Sequence, residues 1–137
     1  MTSSETLGVE VGAPPDQVYA YITDPRNLPA WAPGLCRSAR AEGDHWVIET
    51  PAGNAELRFA PSNDLGVADH HVTFAGGHEV YVPLRVIRSD LGSEVLFTLR
   101  REPGMTDDAF AADRCAVVAD LEALKRILER ASPEGPG

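Results

Sequence analysis

The sequence predicts a single α+β domain, in which a curved antiparallel sheet of seven strands wraps around a long C-terminal helix and two short helices lie between the first and second strands. Three observations carry this. Residues 106–131, TDDAFAADRCAVVADLEALKRILERA, contain neither Gly nor Pro, and Phe110, Val117, Leu121, Leu124 and Leu128 recur at the three-and-four spacing of one helical face, with Val118 at its margin. Between residues 35 and 102 the chain falls into six short alternating runs separated by turn-forming residues. The first strand gives way at once to a segment of helical period.

Taken in order, residues 5–11 alternate, with Leu7, Val9 and Val11 on one side and Glu10 on the other. Ala13-Pro14-Pro15-Asp16 then introduces a helix in which Val18, Tyr19 and Ile22 share a face. Asp24-Pro25 ends it, because a residue before proline is pushed out of the α region. A second helical turn is expected over 26–31, before Pro33-Gly34 breaks the chain. The strand candidates are 35–41, 46–50, 56–60, 67–74, 79–88 and 94–101. Their connections are Glu42-Gly43-Asp44, Ala52-Gly53-Asn54, Ser62-Asn63-Asp64, Gly76-Gly77 and Asp90-Leu91-Gly92. Sequential hairpins place sequence neighbours side by side in a sheet with one buried and one wet face. Pro83 cannot donate to a strand ladder, so it predicts a bulge or bend within 79–88. In the final helix Thr106 can cap the first turn, Asp107 and Asp108 sit at the positive end of the dipole, and Lys125, Arg126 and Arg130 lie towards the negative end. A helix of this kind is marginal alone, so its apolar stripe must be covered by the sheet.

Composition bounds the rest. With 137 residues, 43% hydrophobic and 24% charged, the chain is globular and fits one domain, residues 1–131, followed by a flexible tail, SPEGPG, at 132–137. The net charge of −9 argues against nucleic acid or an anionic membrane surface as the main partner. Cys36 and Cys115 have no CxxC or Cys/His spacing, which predicts two reduced thiols and no disulfide. No apolar run approaches the ~20 residues of a membrane span, and the first residues carry no basic block followed by an apolar one. A cytoplasmic protein with no integral membrane association is expected, as a monomer or homodimer. No GxSxG, P-loop, dinucleotide-binding glycine pattern or metal-ligand spacing occurs, so no cofactor and no metal are expected.

The order of elements and the segment APPDQVYAYITDPRNLPAWAPG (13–34) resemble the START-like superfamily, also called SRPBCC, which includes polyketide cyclases and dehydrases and lipid-transfer domains. Val18, Asp24, Pro25 and Trp31 match its opening signature, and VVADLEALKRILE resembles its C-terminal helix. The resemblance implies a helix-grip fold with a cavity between sheet and helix, and a hydrophobic ligand that is aromatic, polyketide-like or lipid-like. It leaves three roles open: a binding or carrier protein, a polyketide cyclase or dehydrase, and a stress-response module that docks on a chaperone. A motif of fold does not assign a reaction.

Several side chains are candidates to line such a cavity. Trp31, Trp46, Phe59, Phe74, Phe97 and Phe110 are core residues that a half-open sheet would turn into lining. Arg114 lies four residues after Phe110 and three before Val117, which puts a guanidinium on the apolar stripe. It must therefore pair with an acid, snorkel to water, or anchor an anionic group on a ligand. Alternation in 80–87 places Val80, Val82, Leu84 and Val86 on a core face, with Tyr81 and Arg85 opposite unless the bend at Pro83 turns one of them inward. Of the consecutive Asp69, His70 and His71, only His70 shares a face with Val72 and Phe74, which makes it a candidate buried proton carrier or a hydrogen-bonded core histidine. His70 and Arg114 are the two candidates for catalysis. The void itself is expected beside Phe110 and Leu121.

Overall fold

The computed structural model describes residues 4–131, so the expected tail lies outside the described residues. Strand β1 (Ser4–Val11) leads into α1 (Pro15–Ile22), a 3-10 turn (Pro25–Asn27) and the single-turn α2 (Leu28–Trp31). Strands β2 (Ser38–Glu42), β3 (His45–Thr50), β4 (Gly53–Phe59), β5 (His70–Phe74), β6 (Glu79–Val82), β7 (Leu84–Ser89) and β8 (Gly92–Arg100) follow, and α3 (Asp107–Ala131) ends the chain. Local chemistry fixes the boundaries. The Asp24 carboxylate accepts the Arg26 amide and so caps the 3-10 turn. The Thr106 hydroxyl accepts the Ala109 amide at 3.0 Å, the N-cap bond expected of α3.

The strands form two antiparallel sheets, β1-β8-β7 and β2-β3-β4-β5-β6, rather than one sheet of seven strands. The break falls at Pro83. What reads as one strand with a bend is two, because proline offers no amide to β5: Val82 still pairs with His70 in one sheet, and Leu84 already pairs with Phe97 in the other. The run 67–74 divides at the same seam. Its second half is β5, and its first half lies along β7, with Val67 bridging Arg85, Ala68 N–H donating to Leu84 O and Val86 N–H donating to Gly66 O. Gly66 has φ +74°, and a Cβ there would lie 2.1 Å from Val86 O, so this close approach requires glycine.

Asp69 stitches the seam. Its carboxylate accepts from Leu84 N–H (2.9 Å), Tyr81 O–H (2.8 Å) and both Nε and Nη2 of Arg85 (2.8 and 2.7 Å). The amide just past the proline thus finds a side-chain acceptor instead of a ladder partner.

Helix α3 lies along β1. Arg114 Nε donates to Glu5 Oε1 (3.0 Å), Lys125 Nζ to the Glu10 carbonyl (2.9 Å), and Gly12 N–H to Glu129 Oε2 (2.8 Å). The spacing is self-consistent: the helical rise from 114 to 129 is about 22 Å, and the strand rise from 5 to 12 is about 23 Å. Between these tethers Val117, Leu121, Leu124 and Leu128 are buried with Val11, Ile22, Ile48, Leu57 and Val95. Cys36 is buried and Cys115 exposed, both as free thiols. No helix of the described residues is long and apolar enough to cross a membrane.

Candidate functional site

Between α3 and the concave faces of the sheets lies a cavity of about 1130 Å³. The strands supply one wall. Their alternation sends Leu57 and Phe59 of β4, His70, Val72 and Phe74 of β5, and Phe97 and Leu99 of β8 to the same side. Helix α2 contributes Leu28 and Trp31, placed by the proline-bounded turn before it. The opposite wall is α3, through Asp113, Ala116, Val117 and Asp120. At the rim His78 Nε2 lies 3.3 Å from Glu102 Oε1 and stacks on Phe74, joining the β5–β6 turn to the segment before α3.

A second hollow, of about 1220 Å³, lies on the outer surface among the start of α1, residues 63–66 and residues 86–92. Its walls are turn and edge residues such as Asp16, Asp64, Arg88 and Asp90, with no aromatic floor from the sheet. An apolar interior with a few placed polar groups is the mark of a small-molecule site, and only the first hollow has it.

Of the residues singled out from sequence, Trp31, Phe59, His70, Phe74, Tyr81 and Phe97 border the cavity, and Trp46, Arg85, Phe110 and Arg114 do not. Trp46 packs at the margin of the core. Tyr81 turns its hydroxyl away to Asp69, where the Arg85 guanidinium also sits. The Arg101 guanidinium lies 5.7 Å above the Phe110 ring. Arg114 is held by Glu5 on β1, which is the acid-paired outcome of its three alternatives. At 100° per residue it stands about 120° around the helix from Asp120. The void lies beside Val117 and Asp120 rather than beside Phe110, which stands about two turns nearer the helix start, and Leu121, which is buried in the core.

Two acceptors carry the site's chemistry, beside the buried Trp31 indole N–H, which has no hydrogen-bond partner among the described residues. His70 is 8% exposed, and its Nδ1 lies 3.0 Å from the Ala68 carbonyl, which can only accept. Nδ1 therefore holds the proton, and Nε2, with no partner among the described residues, is the acceptor left to the cavity. Burial pushes the His70 pKa down and keeps the ring neutral. Its ring packs at 4.9 Å on Phe59. Asp120 was not singled out from the sequence. Burial pushes its pKa up to about 6, and its carboxylate has no hydrogen-bond or ion-pair partner among the described residues. A signal for it exists: Asp120 is three residues after Val117 and four before Leu124, an acid within the apolar stripe. Among the described residues no cluster of His, Cys, Asp and Glu is arranged to hold a metal ion. The site can thus accept hydrogen bonds or protons at two points, and no serine, cysteine or lysine lines it.

The architecture is shared with several solved structures. A protein from Mesorhizobium loti superposes with a TM-score of 0.74 at 12% identity, covering 95% of this chain and 99% of that one. One from Rhodobacter sphaeroides gives 0.68 at 21% identity, over 95% and 94%. DynU16, encoded in the dynemicin biosynthetic locus, gives 0.70 at 20% identity over 95% of this chain, which spans about half, 48%, of its length. These likenesses establish the fold. Among curated proteins none matches the sequence. The family model for polyketide cyclase / dehydrase and lipid transport matches residues 2–129, and the chain belongs to that family.

Proposed function

We propose that this protein binds a hydrophobic small molecule, aromatic or lipid-like, in the cavity between α3 and the sheets. The observation that carries this reading is the cavity itself: about 1130 Å³ whose sheet wall is aromatic and aliphatic, with its charged groups on the rim and on α3. The family description spans catalysts and carriers. Two acceptors on opposite walls, with no serine, cysteine or lysine beside them, favour a carrier, because acid–base turnover needs donors and acceptors placed around a reacting atom. A neutral environment-sensitive dye, N-phenyl-1-naphthylamine, should bind the native protein with one-to-one stoichiometry and a blue-shifted emission. Ala116→Trp, which sets a large ring on the helix wall, should weaken that binding by about tenfold or more, a 1.4 kcal/mol effect. Dye fluorescence that is indifferent to Ala116→Trp would place the dye elsewhere and remove the support for this reading.

A further inference from the structure

We infer, building on that reading of the cavity, that its ligand is an apolar molecule carrying a protonated amine, with the ammonium seated against Asp120, and that the cavity discriminates against anionic amphiphiles. Three features carry this. Asp120 projects from the helix wall without any cation partner among the described residues, and at neutral pH a carboxylate that titrates at about 6 is mostly ionised. On the opposite wall His70 is more than nine-tenths buried and offers only the lone pair of Nε2, since its Nδ1 proton is committed to Ala68, while the buried Trp31 N–H, without a partner among the described residues, is a single neutral donor. Asp120 and His70 both ask the ligand for donors, and an ammonium carries three.

The charges around the cavity point the same way. On α3, Asp113 lies seven residues before Asp120, about 10 Å nearer the helix start on the same face. On the rim Glu102 is engaged by His78, and Arg101 is engaged by Asp107 and the Met105 carbonyl. That leaves Arg100 and Glu79, both exposed and opposite in sign, so they offset one another in solvent. The cation on α3 nearest this stretch, Arg114, is bound to Glu5 on the other flank of the helix. A fatty-acid carboxylate seated at this wall would face an ionised Asp120, with Arg100 only at the exposed rim. An ammonium supplies the counter-charge that the fold omits.

The test uses three probes of one chain length, dodecylamine, dodecanol and dodecanoate. Each is titrated below its micelle-forming range against bound N-phenyl-1-naphthylamine on the full chain. The amine should bind about tenfold or more tightly than the alcohol, equivalent to 1.4 kcal/mol, and dodecanoate should bind more weakly than either. Asp120→Asn, close to isosteric, should bring amine affinity down to that of the alcohol while leaving alcohol affinity within about twofold, which also reports that the variant is folded. Asp113→Asn, at the exposed edge, should preserve the preference. Alcohol binding with no advantage for the amine, or an advantage that survives Asp120→Asn, overturns the inference and leaves the cavity reading standing. Failure of all three probes to displace the dye overturns both.

Discussion

The Asp69 carboxylate accepts from three residues at once, and the hydrogen bond from Arg85 is the main reason its pKa falls to about 2. A carboxylate depressed in the folded state stabilises the fold at every pH above its unfolded value near 3.8, and the gain is lost as pH falls towards 2. Arg85 is about half exposed, so solvent screening reduces the gain to the order of 1–2 kcal/mol. Asp69→Asn should therefore be less stable than wild type by about that amount at pH 7, with the gap narrowing between pH 4 and 2 in urea titrations. A gap that is constant over this range would mean that the hydrogen-bond geometry, not the charge, stitches the seam. Asp120 has the opposite sign, since a carboxylate raised to about 6 costs stability once pH passes its unfolded value. At this scale the sequence was half legible. His70 was placed by parity with Val72 and Phe74, a local property of one strand. Arg114 could be narrowed only to a stripe position, because its partner Glu5 lies 109 residues away in sequence.

The elements themselves were the most legible level, since each rests on a period or a breaker that neighbouring residues supply. Helix α3 begins at Asp107, where the Thr106 cap and the two aspartates predict it. Its stripe is buried at the expected positions: Leu121 is 2% exposed and Leu124 fully buried. Leu121→Ala should cost about 2–5 kcal/mol, the range for emptying a packed core site, read as a shift in the urea midpoint without a change in slope. A loss below about 0.5 kcal/mol would mean that the helix docks by another face. What was not legible was how one element relates to the next. Pro83 announces a fault in the strand, yet whether the chain resumes in the same sheet or passes to another depends on partners far off, here Phe97 and the Asp69 carboxylate. The division into two sheets followed from that long-range competition.

For the whole molecule, the attachment of α3 is lopsided. Beyond its first turn, the polar bonds between α3 and the rest of the described residues go to Glu5, Glu10 and Gly12, along one edge of one sheet. Its other flank looks across the cavity to the five-stranded sheet. The helix is hung like a door on a jamb, with Arg114, Lys125 and Glu129 as hinge pins and the cavity as the doorway. If a guest leaves by the helix swinging about β1, the Arg114–Glu5 ion pair adds to a barrier set mainly by the buried apolar stripe, and salt weakens that part of it. Dissociation of the neutral naphthylamine dye, followed by stopped flow, should accelerate about two- to threefold as ionic strength rises from roughly 0.01 to 1 M, and the acceleration should vanish in Arg114→Met. A rate indifferent to salt would mean that the guest leaves over the His78–Glu102 rim while the door stays shut.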